Sequence, residues 1–233
     1  MASDFIASKI SIKELSKRAG EVRTNLSISD DVTLDIINLL EFDIVRLIPN
    51  FRLLVMPDSE MLSDDGHFQE AYATFDPPRI VVANSIYIAA NESEPHARMV
   101  LAHELGHLML HNGRIVREKA HNLATEAKKR GAYGPPLHNL KSRTGESQAS
   151  KFAAFLLAPT NACVSLTSAN EIAEKFQISL RSAEIRFTET DPLRRRLSGQ
   201  RRKLPSAVLA FMREQEVRNR FKFKSLPEDH RRA

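Results

Sequence analysis

The string His103-Glu104-Leu105-Gly106-His107 constrains this 233-residue chain more than any other feature. Written on a helix, residues four apart lie one turn apart on the same face. Two imidazoles so placed can share one tetrahedral Zn²⁺ at about 2.0–2.1 Å each. Glu104 follows the first histidine, so its carboxylate falls beside such an ion, not on it. There it can take a proton from a zinc-bound water and pass it to a leaving amine. With 8 His in the chain, chance supplies roughly 0.02 such strings. The competing reading is two buried helix histidines with a surface glutamate between them.

A catalytic zinc needs a third protein ligand and an open fourth position. His111 lies one further turn along, but three ligands on successive turns of one straight helix stand in a row and do not converge. The chain also lacks the HExxHxxGxxH spacing, whose glycine turns the backbone to return a third histidine. His111 is therefore read as structural or as a pocket residue. Glu146 opens an apolar helix in which Ala149, Phe152, Ala153, Leu156 and Leu157 pack inward, with Ala149 and Ala153 small enough for close approach to the HELGH helix. By spacing alone, Glu146 is equally a first-turn acid complementing the helix dipole. Glu118, Glu126 and His138 lie in a polar stretch with weak packing signals, a poor support for a ligand.

The rest of the chain reads as α+β: a small, mostly antiparallel three-stranded sheet packed against the HExxH helix, followed by a helical C-terminal part. Residues 11–26 form a helix. A second helical run, 30–42, is capped by Ser29 or Asp30. Residues 51–56 read as a strand, and 70–75 and 79–84 as a strand pair across Asp76, Pro77 and Pro78. The continuous apolar run RIVVAN suits a strand buried on both faces. Ser93 caps the HELGH helix, with Pro95 in its first turn and Gly113 beyond its end. Residues 114–145 are polar and irregular. A helix over 145–158 is stopped by Pro159. Two short helices follow over 169–187, with a turn near Gln177–Ser179, and a final helix begins near Ser206. This divides the chain into an N-terminal helical segment (1–30), a zinc peptidase core (31–160), a helix-turn-helix-like segment (161–190) and a basic extension (191–233).

Charge follows that division. The chain carries +5 overall. Residues 191–233 hold 13 basic and 5 acidic side chains, or +8, so the first 190 residues carry −3. The tail reads as a solvated helical extension, or as a weak contact for nucleic acid or another polyanion. No apolar run reaches the roughly 18 residues of a membrane span, the N-terminus has no secretory apolar core, and the single Cys163 can form no internal disulfide. A cytoplasmic location without membrane contact is the expectation.

MVLAHELGHLMLH, followed by ExxAxxFAAFLLAP, resembles the ImmA/IrrE-type metallopeptidases, minimal gluzincins often encoded by mobile elements or stress regulons. The likeness runs back to RIVVAN and forward to IAEKFQISLRSAEIRF, ending at Arg186, and covers about residues 30–190. It implies a zinc endopeptidase with one Zn²⁺ per chain, His103, His107 and Glu146 as metal ligands and Glu104 as catalytic base. It also implies a substrate: a helix-turn-helix repressor, cut so that mobile-element or stress genes are released. The chain departs from the family at Gln148, where many members carry an acid, and at Ser150, where they carry Asn or Asp. Ser150 is expected to weaken the shell that orients the ligands. The 39 positions from His107 to Glu146 are also long for the family.

Two rival readings stand beside the peptidase. One is a regulatory module that inactivates a repressor by binding alone. The other is a DNA-binding regulator using 171–187 and the Arg-rich tail. The intact Glu104 favours the peptidase, since a structural metal site has no use for a base there. Tyr72, Tyr87, Tyr133, His121 and His138 are the available donors to a developing oxyanion, and nothing in the sequence chooses among them. Cys163, just past a helix end, reads as a small buried residue.

Overall fold

The computed structural model describes residues 10–62, 66–111 and 145–199. The expected features at Glu118, His121, Glu126, Tyr133 and His138, and the helix beyond Ser206, lie outside them. Helix α1 spans Ile12–Asn25, with the Ser11 hydroxyl accepting from the Glu14 amide and Leu15, Ala19 and Val22 buried on one face. The next helical turn starts later than its sequence suggests. Asp35, not Ser29 or Asp30, caps the short α2 (Ile36–Asn38), which runs on as a π turn over Leu39–Asp43 and a 3-10 turn over Ile44–Arg46. Two buried arginines explain the delay. Arg23 donates to the Ser29 carbonyl and, at 2.6 Å, to that of Val32. Arg98 donates to Leu34 O at 2.7 Å. Carbonyls that a helix through this stretch would use are thus taken by side chains, and the backbone stays open.

Three strands follow: β1 (Arg52–Met56), β2 (Ala71–Phe75) and β3 (Pro78–Ala83). Their order is β1-β3-β2. The β2–β3 pair is the expected antiparallel hairpin, turning at a cis Asp76–Pro77 bond. β1 joins β3 in parallel, Leu53 opposite Ile80 and Val55 opposite Val82. The fold is α+β, and the sheet is mixed where a mostly antiparallel one was expected. The segment between β1 and β2 crosses over and leaves β3 in the centre. Accordingly Ile80, Val81, Val82 and Ala83 are all buried. Leu53, Ile80, Val82 and Ala71 belong to the main core, whereas Leu54, Met56, Val81 and Ala83 form a small second cluster with Met61, as the alternation of side chains along strands requires.

Helix α3 (Asn84–Asn91) is not evident in the sequence, because its cap is remote: Asp58 Oδ1 accepts from the Ser85 amide at 2.9 Å. Helix α4 (Pro95–Leu110) carries the HELGH string. Glu94, not Ser93, caps it, accepting from the His96 and Ala97 amides at 3.0 and 2.6 Å. Ser93 itself has φ 66° and lies outside the helix. The remaining helices are α5 (Gly145–Leu157), α6 (Thr160–Ser165), α7 (Ala169–Phe176) and α8 (Leu180–Leu197). Gln177 turns α7 towards α8 in the left-handed region, φ 50°. That turn is held by Arg98, whose Nη1 reaches Phe176 O at 3.1 Å and Gln177 O at 3.0 Å. Arg186 fastens α8 in the same manner, donating to Ala158 O through Nε at 3.1 Å and Nη2 at 3.0 Å. The chain divides into two compact units, Met1–Asp191 and Pro192–Ala233; every site residue discussed below lies in the first. Among the described residues, no helix is long and apolar enough to cross a membrane.

Candidate metal centre

The site begins with a helix contact. Gly106 faces α5 so closely that a Cβ there would stand 3.0 Å from the Ala149 carbonyl oxygen, 3.1 Å from its Cα and 3.2 Å from Phe152 Cδ1. Ala149, Phe152 and Ala153 are fully buried on the facing side. With no side chain between them, α4 and the first turn of α5 approach at backbone distance. That approach brings Glu146 over the two histidines.

His103 Nε2 lies 3.0 Å from His107 Nε2 and 3.0 Å from Glu146 Oε2. Glu146 Oε1 is 3.3 Å from His107 Nε2. The ligand-type atoms of all three residues fall within 4.8 Å of one another. A tetrahedral ion bonded at 2.0–2.1 Å separates its ligand nitrogens by about 3.3–3.4 Å, so the triad is close to the spacing that a zinc ion imposes. Its donor set suits a cation as well. Both imidazoles direct a ring nitrogen at the Glu146 carboxylate. The histidines hold the Glu146 carboxyl well below the usual carboxylate range, His103 first and His107 next, through hydrogen bonds that outweigh its burial. It therefore stands as an anion, ready to ligate.

Ser150, one turn along from Glu146, places its hydroxyl 3.1 Å from His103 Nδ1. A hydrogen bond at Nδ1 fixes the ring and leaves Nε2 to point at the triad's centre. Ser150, the departure from the family at this position, is thus in contact with a ligand-type histidine. Gln148 is buried in α5.

Glu104 is not part of the triad. Burial raises its pKa, the strongest of several influences, while the backbone amide of Ala73 on β2 hydrogen-bonds it. A carboxylate with raised basicity beside a metal-binding cluster is suited to proton transfer. His111 is buried at 7% exposure, its Nε2 3.4 Å from Gly145 O. Burial lowers its pKa to about 4, so it is neutral at ordinary pH. It is absent from the triad, in keeping with the helix-geometry argument. Of the described oxyanion candidates, Tyr87 donates its hydroxyl to Glu41 at 2.6 Å. Tyr72 pairs across from Val81, on the sheet face opposite Ala71. Neither lines the cleft.

That cleft encloses about 540 Å³ and is lined on one side by His96, Met99, Val100, His103 and Glu104 of α4. Across from them lie residues 68–71, leading into β2, with Ser150 at the metal end. Because the order is β1-β3-β2, strand β2 is an edge of the sheet among the described residues, and its first residue, Ala71, lines this opening. Gly106 and the β2 edge are not singled out as site-forming by the sequence. The glycine inside the histidine pair was the available signal for close helix approach.

The family model Peptidase_M78, described as an IrrE N-terminal-like domain, matches residues 60–188, more than half the chain. No curated protein matches. Among solved structures, a Mycobacterium tuberculosis transcriptional regulator is similar at 14% identity and a TM-score of 0.45, over 73% of this chain and 45% of that one. The chain thus spans less than half the length of that structure.

Proposed function

The chain belongs to the IrrE N-terminal-like (Peptidase_M78) family, a metallopeptidase-type domain, and on that footing we propose that it is a zinc-dependent endopeptidase acting on a helix-turn-helix transcriptional repressor in the cytoplasm. The observation that carries the reading is the convergence of His103, His107 and Glu146 within 4.8 Å, with Glu104 beside them and outside the ligand set. Zinc, when held by those three residues, would supply Lewis acidity towards a water and towards the scissile carbonyl.

The chain's own groups do the rest. Glu104, with its raised basicity, takes the proton of the attacking water and returns it to the leaving amine. Ser150 keeps the His103 ring in place. Residues 68–71 lead into β2, an edge strand among the described residues, and an extended substrate can lie beside them in the cleft. Cleavage of the repressor would release the genes it silences.

The test is to incubate the zinc-loaded protein with a helix-turn-helix repressor from the same genome and to look by mass spectrometry for one new N-terminus. A single cut that disappears with a chelator supports the reading. An intact repressor that nevertheless forms a stable complex would favour inactivation by binding.

A further inference from the structure

The face of α4 that carries His103 and Glu104 continues upstream, with Met99 and Val100 one turn back and His96 two turns back, all lining the cleft. Opposite Met99 and Val100 stand Phe68 and Ala71. Phe68 is 49% exposed. It pairs with Leu62 in an isolated antiparallel bridge, and Leu62 is 56% exposed. The far end of this apolar stretch is closed by charge. His96 Nε2 lies 2.7 Å from Glu70 Oε1, joining the first turn of α4 to the residue before β2. The cleft therefore runs from the metal triad, over an apolar floor, to an ion pair.

Distances along the helix set what sits over that floor. Met99 and Val100 precede His103 by four and three residues, about 6 and 4.5 Å along the axis at 1.5 Å each. A strand advances about 3.3 Å per residue. A substrate side chain resting on Met99 and Val100 thus belongs to a residue one or two positions from the bond held at the triad. The His96–Glu70 pair, a further turn away, limits how far that side chain extends.

We propose that Phe68, Met99 and Val100 form a specificity subsite that accepts an apolar side chain, of leucine or methionine size, within two residues of the cleaved bond. This rests on the peptidase reading and adds its substrate preference. Seating such a side chain covers Phe68 and desolvates no charge. An aspartate or serine resting on Phe68, Met99 and Val100 would lose water against three apolar side chains. Discrimination by an apolar pocket of this kind is typically tenfold to a few hundredfold.

The test uses the full-length Glu104→Gln protein loaded with zinc, so that peptides bind without being consumed. Fluorescein-labelled decapeptides scanned position by position with Leu, Met, Ser, Asp and Lys are titrated by anisotropy. The expected result is one position at which Leu or Met binds about tenfold tighter than the polar residues. In the same background, Met99→Lys should shift that position towards Asp, and Phe68→Ala, at an exposed site that tolerates truncation, should reduce the apolar preference severalfold. No apolar preference at any position, or one that neither variant alters, overturns the subsite. Hydrolysis of the same peptides by the wild-type protein is followed separately. Apolar preference in binding without hydrolysis keeps the subsite and removes the peptidase reading; hydrolysis without preference does the reverse.

Discussion

The α-carbon of Gly106 faces the backbone of Ala149 with room for no side chain: a Cβ would lie 3.0 Å from the Ala149 carbonyl oxygen. This contact sets the height of Glu146 over His103 and His107, because Ala149 and Glu146 share the first turn of α5. The glycine between the two histidines serves to admit the helix that brings the third carboxylate.

Gly106→Ala is accordingly expected to push α5 away. Neither partner in the contact is a flexible side-chain end, so the helices must separate. Overpacking of this kind costs about 1–3 kcal/mol, readable as a lower urea midpoint. Zinc affinity should fall at the same time. A stable variant with unchanged zinc affinity would show that the contact has slack.

Glu146 and His111 make opposite predictions. Glu146→Ala removes the one carboxylate in the triad and should lose most bound zinc and all hydrolysis. His111→Ala removes a buried ring that hydrogen-bonds Gly145 O and should keep its metal, with some loss of stability. Metal analysis of the two purified variants separates them. Zinc retained by the first and lost by the second would reverse the ligand assignment.

Arg98 is 2% exposed, and its guanidinium serves Leu34 O, Phe176 O, Gln177 O and, at 2.7 Å, Gln177 Oε1. Arg98→Met keeps most of the volume and leaves buried carbonyls without donors. A buried group stripped of its partner costs roughly 1–3 kcal/mol; with several affected, a loss of about 2–4 kcal/mol in denaturant unfolding is expected. A change under 0.5 kcal/mol would mean that water replaces the arginine.

The two histidines are legible in sequence because their signal, one helical turn, is local. Glu146, by spacing alone equally a first-turn acid, is picked out by the family resemblance. What escaped was decided at long range. The parallel β1–β3 pairing depends on a crossover whose path no short pattern encodes. Helix α3 takes its cap from Asp58, 27 residues away. The helix expected from Asp30 fails because Arg23 and Arg98, elsewhere in the chain, claim its carbonyls. Ser150 stands where the family resemblance leads one to expect Asn or Asp, and sequence alone does not show what its hydroxyl touches. Only the packed geometry places its hydroxyl on His103 Nδ1.

The central claim is that Glu104 is a base and not a ligand. The most direct measurement is Glu104→Gln beside wild type, with zinc content and repressor cleavage followed on the same preparations. Gln keeps the size of Glu and lacks its basicity. Loss of a positioned general base typically lowers the rate by about 10²–10⁴. The account predicts a folded variant that holds one zinc per chain and leaves the repressor intact on the time scale of wild-type cleavage. Cleavage at the wild-type rate, or a variant that no longer holds zinc, would contradict it.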